Sequence, residues 1–194
     1  SSLFKNALHS VNLNIKGTIQ LLNFLPQLDG ILYASSLSVY GIPKYLPIDE
    51  KCATNPITFY GCAKLGAEKY LKLFSNPRSI PLTIMRYSSV YGPRNRTKRA
   101  LPTFINLALE DKPISLHGNG DPFIDLIYIS DVIDATKNGI LANQSETYNI
   151  GSGFKCTILQ LAQKIIDLTN SKSRIKYSNK QSDFPYVFYI TKEK

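Results

Sequence analysis

Tyr60 and Lys64 stand four residues apart in the run Tyr60-Gly61-Cys62-Ala63-Lys64. On a helix that spacing puts both side chains on one face, a single turn apart. An ammonium beside a phenol favours the phenolate and lowers a pKa that is about 10 in water. A position in the first turn adds the helix N-terminus, which also favours negative charge. A tyrosine tuned in this way exchanges a proton with an alcohol near neutral pH. A serine hydroxyl at the end of an adjacent strand, Ser36, would hold that alcohol. Taken alone the pair is also what any helix surface carries, worth a few tenths of a kcal/mol. Its surroundings decide.

Those surroundings alternate between helices and short apolar strands. Leu3, Ala7, Leu8, Val11, Ile15, Ile19 and Leu22 recur at three- and four-residue steps, which predicts a helix from Leu3 to Leu25, stopped near Pro26 and Gly30. Ile31-Leu32-Tyr33-Ala34 has no alternation, as expected of a strand buried on both faces of a parallel sheet. It ends in Ser35, Ser36 and Ser38. Asn55-Pro56 reads as the start of a second helix, which runs to about Ser75. Leu82 to Met85 is a second buried strand, ending in Tyr87-Ser88-Ser89. Further on, a helix (Leu101–Glu110), strands at Ile114–Leu116 and Leu126–Ile129, a helix (Asp131–Asn143) and a strand at Tyr148–Ile150 are expected. Thr157 and Gln160 form a capping box for a last helix. This order predicts a parallel α/β sheet, whose ligands sit beyond the carboxyl ends of the strands.

The 194 residues suffice for a sizeable core, and no apolar run approaches the ~20 residues of a membrane span. The three cysteines form no C-x-x-C pair and imply a reducing compartment, with the cytoplasm as the expected location. Two histidines cannot build a histidine-rich metal site, so no metal is expected. The net charge of +9 suits an anionic ligand such as a nucleotide. Nucleic acid is not expected, since there is no zinc-finger spacing, no RNP-like aromatic motif and no continuous basic helix.

The chain resembles the extended short-chain dehydrogenase/reductase family, specifically its nucleotide-sugar epimerases and dehydratases. The resemblance rests on Asn14-Ile15-Lys16-Gly17-Thr18, Ser35-Ser36-Leu37-Ser38-Val39-Tyr40-Gly41, Pro47-Ile48-Asp49-Glu50 and Tyr60-Gly61-Cys62-Ala63-Lys64. It continues through Arg86-Tyr87-Ser88-Ser89-Val90-Tyr91-Gly92-Pro93-Arg94, Tyr128-Ile129-Ser130-Asp131-Val132 and Asn149-Ile150-Gly151-Ser152-Gly153. It implies a Rossmann-like doubly wound parallel sheet, truncated at the N-terminus, with a small C-terminal substrate-binding lobe. Residues 1–150 would belong to the NAD-binding domain, with lobe insertions around 93–125, and residues 151–194 to the lobe. NAD is the implied cofactor and a nucleotide sugar the implied substrate. Tyr60 would be the acid/base, Lys64 would tune it and bond the nicotinamide ribose, and Ser36 would bond the reacting hydroxyl. Asn14, Ala34, Ser35, Tyr87 and Ser88 would lie at the cofactor, and Ser38, Ser89, Arg94 and Arg99 at the substrate. A homodimer of the full-length protein is implied, through the helices around Leu3–Leu25 and Tyr60–Ser75.

Departures from the family pattern narrow the expectation. The 4,6-dehydratases place Thr-Asp-Glu where this chain has Ser36-Leu37-Ser38, so the carboxyl acid and base of dehydration are not offered. The arginine that normally contacts the nucleotide diphosphate is replaced by Ile124, ahead of Asp125. The basic loop Arg94-Asn95-Arg96-Thr97-Lys98-Arg99 is a substitute source of charge or a solvated loop. The Gly-x-x-Gly-x-x-Gly turn that holds a dinucleotide pyrophosphate is absent from the sequence, and His117-Gly118-Asn119-Gly120 opens no helix. The strand Ile31–Ala34 is therefore expected to present an unpaired edge. The expected activity is epimerisation by transient oxidation. The alternatives are a nucleotide-sugar reductase or decarboxylase of the same family, or an inactive fragment serving as an interaction module.

Overall fold

The computed structural model describes residues 2–25, 27–95, 97, 99–178 and 190. Pro26, Arg96 and Lys98 lie outside the described residues. The chain runs α1 (Ser2–Val11), a π-helical turn (Asn12–Lys16), α2 (Gly17–Phe24), β1 (Ile31–Ser36), a 3-10 turn (Leu37–Tyr40), α3 (Phe59–Ser75), β2 (Leu82–Tyr87) and β3 (Ser89–Tyr91). It continues with α4 (Ala100–Leu109), β4 (Ile114–His117), β5 (Phe123–Ile124), β6 (Leu126–Tyr128), α5 (Ile129–Ala142), β7 (Glu146–Ile150), β8 (Cys156–Thr157), α6 (Ile158–Thr169) and β9 (Ile175–Ser178).

The main sheet is parallel, in the order β1-β2-β7. Its centre is β2, where Leu82 to Arg86 are all buried. Alternation along β2 sends Ile84 and Arg86 toward α3, and Thr83, Met85 and Tyr87 toward α5. Leu22, Leu71, Leu82 and Ile84 form the core on the α3 side. On the other face Gly139 of α5 lies so close to Met85 that a Cβ would collide with its side chain and press on Leu32. Helices on both faces of a parallel sheet make the layered α/β architecture expected from the alternating elements.

A separate core joins Phe104 and Ala108 of α4, Ile114 and Leu116 of β4, and Leu161, Ala162 and Ile165 of α6. The parallel pair β4–β9 and the antiparallel pair β5–β8 close around it. The capping box on α6 is present: Thr157 accepts from the Gln160 amide and Gln160 accepts from the Thr157 amide. The segment His117-Gly118-Asn119-Gly120 is a turn after β4, with φ of 57° at Gly118 and 74° at Gly120, and no helix follows it.

Three expectations need correction. First, the helix expected to run unbroken to Leu25 widens into a π turn at Asn12–Lys16, where the Gly17 amide reaches the Asn12 carbonyl. Ile15 of that turn packs where Gly66 of α3 has no side chain. Across it the apolar steps Val11, Ile15 and Ile19 are four residues long, which an α-helix also allows, so periodicity does not reveal the inserted residue. Second, β1 is not buried on both faces. It is the edge of the sheet among the described residues, Ile31 to Tyr33 are half-buried and Ala34 is exposed. Third, Asn55-Pro56 does not begin α3. Asn55 donates its amide to the Tyr40 carbonyl, and its own carbonyl lies against Gly41, whose φ of 65° suits glycine. The true cap is Thr58, which accepts from the Gly61 amide at 3.0 Å.

Candidate active site

Thr58 as the cap makes Tyr60 the second residue of α3, so the phenol sits in the first turn. Tyr60 is 43% exposed, and Lys64, one turn further, is half-buried against β1. The Lys64 ammonium donates to the Ala34 carbonyl at 2.8 Å. It lies 5.0 Å from the centre of the Tyr33 ring and 5.8 Å from that of Tyr60. Two aromatic faces and one strand carbonyl thus surround a single cation, at distances where ring quadrupoles attract it.

Burial holds the Lys64 amine below its ordinary value of 10.5, with the Glu68 carboxylate opposing that shift. Between the folded-state pKa and 10.5 the unfolded chain binds a proton that the folded chain lacks. This group therefore favours the folded state increasingly as pH rises through that window. Urea unfolding of the wild type and of Lys64→Met from about pH 8 upward measures it, because titrations common to both cancel. The difference is expected to move in favour of the wild type as pH rises; a flat difference would leave Lys64 unperturbed. Tyr33, a residue the sequence did not single out, has its phenol pushed up by burial and by the neighbouring Tyr60 and Glu68. Its hydroxyl is buried and has no partner among the described residues.

The carboxyl end of β1 meets α3 directly. Ser36 caps the 3-10 turn by accepting from the Ser38 amide at 3.2 Å. The Ser38 carbonyl lies under Gly61, where a Cβ would come within 2.5 Å of that oxygen. Gly61 is therefore what lets the residue next to Tyr60 sit on the strand end. Helix propensity alone would favour alanine there by about 1 kcal/mol. The contact reverses the sign, and Gly61→Ala is expected to lower stability by about 1–3 kcal/mol in thermal unfolding.

The remaining expected site residues divide by what their side chains touch. Ser35 is buried and its hydroxyl donates to Glu68, so only its backbone is left to meet a ligand. Tyr87 points to the opposite face of the sheet and its hydroxyl bonds Thr136 of α5 at 2.7 Å. Ser88 donates to Asp125 at 3.4 Å, while the Ser89 amide donates to the Asp125 carbonyl. Asn14 folds back within its own helix, donating to the Ser10 carbonyl at 3.0 Å. Ser38 has a buried hydroxyl with no partner among the described residues. Arg94 and Arg99 are exposed, Arg94 with φ 64° and Arg99 at the start of α4.

Two features escaped the sequence reading. Asp125 is 2% exposed and accepts from the amides of Ser152 and Gly153 at 2.7 and 3.0 Å and from the Ser152 hydroxyl at 2.9 Å. It thereby fastens the Gly151-Ser152-Gly153 turn beside β2. Glu68 and Arg86 form a buried ion pair, with Arg86 Nη2 to Glu68 Oε2 at 2.7 Å and Nε to Oε1 at 3.1 Å. An arginine inside an otherwise apolar strand was the available signal, since a buried charge requires a partner. Among the described residues no cluster of three His, Cys, Asp or Glu stands ready for a metal, and no helix is long and apolar enough to cross a membrane.

Several known proteins are similar to this chain. A UDP-glucuronic acid 4-epimerase from Bacillus cereus, solved with UDP-glucuronic acid and NAD, superposes with a TM-score of 0.83 at 30% identity, over 93% of this chain and 58% of its own. An uncharacterized UDP-glucose epimerase of Bacillus subtilis is 32% identical over 79% of this chain, and the mouse dTDP-D-glucose 4,6-dehydratase is 30% identical over 88% of it. The chain spans between 49% and 63% of the length of the first curated relatives it matches. A sequence model of the family described as NAD dependent epimerase/dehydratase matches residues 3–151. With three quarters of its length inside that match, the chain belongs to the NAD-dependent epimerase/dehydratase family.

Proposed function

We propose that this chain carries the proton-transfer machinery of an NAD-dependent epimerase acting on a nucleotide-diphosphate sugar. The observation that carries the reading is the seating of Tyr60 and Lys64 against the carboxyl end of β1, with Lys64 on the Ala34 carbonyl and the Ser38 carbonyl beneath Gly61. A hydroxyl held by Ser36 would stand at the rim where the exposed Tyr60 phenol can take its proton and later return it. The residues present fit one end of the dinucleotide. Tyr60, Lys64 and the backbone of Ala34 and Ser35 offer polar groups at an open strand end, whereas the sequence has no glycine-rich turn for the pyrophosphate. NAD held there would supply a reversible hydride acceptor for the carbon that bears the reacting hydroxyl. The protein's own share is to place the sugar, move one proton and keep Lys64 beside the phenol.

Epimerisation is favoured over dehydration by Leu37. The dehydratase among the relatives makes that reaction a specific rival. Leu37 is 3% exposed in an apolar cluster with Val39, Tyr40, Ile48, Cys52 and Ile190, so no carboxyl acid is offered at this position. We read residues 93–125 together with the segment from 151 onward as the lobe that receives the nucleotide sugar. Ile124, paired with Cys156 across β5 and β8, offers no phosphate clamp, and we read the exposed Arg94 and Arg99 as the substitute source of charge.

The test is to incubate the protein with NAD and UDP-linked sugars, separate the epimers by chromatography and follow absorbance at the NADH band. Epimer formation without net NADH supports the reading. Net accumulation of NADH, or loss of carbon dioxide, replaces it with a reductase or decarboxylase. A folded protein that neither turns over nor binds NAD in a titration leaves an interaction module.

A further inference from the structure

The buried pair of Glu68 and Arg86 lies in a row that crosses the whole parallel sheet. Ser35, Arg86 and Asn149 are register partners on β1, β2 and β7. Glu68 reaches this row from α3, where it follows Lys64 by four residues and Tyr60 by eight, on the same helical face. Its carboxylate accepts from the Ser35 hydroxyl and from two nitrogens of Arg86. The remaining Arg86 nitrogen donates to the Tyr40 hydroxyl at 2.8 Å, and Tyr40 donates to Asn149 Oδ1 at 2.7 Å. The Asn149 backbone amide donates to Glu50 at 2.7 Å. The side chains of Arg86 and Glu68 are 7% and 2% exposed.

We propose that Glu68 is a positioning residue for the Tyr60–Lys64 pair: by gripping Ser35 and Arg86 together, it fixes where α3 lies along β1 and hence how far Tyr60 stands from Ser36. A buried ion pair gives little net stability over a well-packed apolar pair. What a two-pronged arginine–carboxylate contact supplies is direction, because only one relative orientation satisfies both bonds. The clamp lies one residue before Ser36 on β1 and one residue before Tyr87 on β2, so it sets both strand ends against one helix. The groups that meet Lys64 are the Tyr33 ring and Ala34 carbonyl from β1, and Tyr60 and Glu68 from α3. Arg86 acts on it through Glu68.

The inference rests on Tyr60 being the proton carrier, and two variants separate geometry from charge and from stability. Arg86→Lys keeps the charge and loses the fork. The double change Glu68→Leu with Arg86→Leu removes the charges together and is expected to fold with a melting temperature close to the wild type. Both are expected to speed hydrogen exchange at the amides of Cys62, Ala63 and Lys64 about tenfold, with β2 amides unchanged. Both are also expected to lower kcat at least about tenfold with KM within about twofold, since small misplacements cost rate before binding. If the leucine pair restores stability and wild-type exchange and turnover together, the pair is only packing and the proposal falls. Should the leucine pair fail to fold, Arg86→Lys with wild-type exchange in α3 overturns it equally. Exchange is read without substrate, so a wild type that shows no turnover counts against the function and leaves the clamp to stand or fall on its own measurement.

Discussion

Replacing Tyr60 by Phe is expected to lower epimerisation about 10²- to 10⁴-fold while leaving the melting temperature where it was. The first half follows from the proposed role: the phenylalanine ring would keep the shape of the site and remove the oxygen that, on that reading, carries the proton. The second half follows from exposure. Tyr60 is 43% exposed at the first turn of α3, and exposed substitutions outside special features usually change stability by less than about 0.5 kcal/mol. Circular dichroism melting and an epimer assay on the same preparation read the two quantities together. Turnover within a few-fold of the wild type would remove Tyr60 from the chemistry. A large fall in melting temperature would instead make the phenol a structural group.

Arg86→Ala is expected to do the reverse, costing about 3–5 kcal/mol of folding stability. The change leaves the Glu68 carboxylate, 1% exposed as a residue, without its bidentate partner, and leaves the Tyr40 hydroxyl without its donor. Uncompensated buried charge accounts for most of the loss, and the space vacated by the guanidinium adds to it. Urea unfolding at neutral pH measures it, with an unchanged slope indicating the same unfolded state. A cost below about 1 kcal/mol would mean that water reaches Glu68 and that the pair is not truly sealed. Comparison with the leucine pair then distinguishes a broken ion pair from a missing one.

The parallel sheet and its covering helices were readable from sequence because apolar runs at Ile31 and Leu82 are too short for helices and lack alternation. The capping box at Thr157 was readable for a similar reason, as its chemistry lies within four residues. Features set by distant partners were not. The start of α3 moved from Asn55 to Thr58 because Tyr40 and Gly41 engage Asn55, a contact no local rule anticipates. The edge position of β1 among the described residues was itself expected from the absent glycine-rich turn, and it overrides the burial on both faces read from the strand's lack of alternation. At the site, Tyr60 and Lys64 were legible through helical spacing, whereas Tyr33 looked like one more apolar strand residue. Its alternation places it with Ser35 on the α3 side, which becomes informative only once α3 is known to cover that face. Glu68 continues the same four-residue step as Tyr60 and Lys64, and its importance depends on Arg86 arriving from another strand.

Leu37 bears on how this scaffold could drift toward water elimination. An aspartate introduced there would enter a pocket closed by Val39, Tyr40, Ile48, Cys52 and Ile190, each at most 4% exposed. Carrying an ionised carboxylate into such surroundings costs several kcal/mol, a large share of the roughly 5–15 kcal/mol by which a domain holds together. The ancestor on that route would lose its fold before it acquired the new reaction. Polar neighbours would have to come first, in the wall of the pocket, and the acid last.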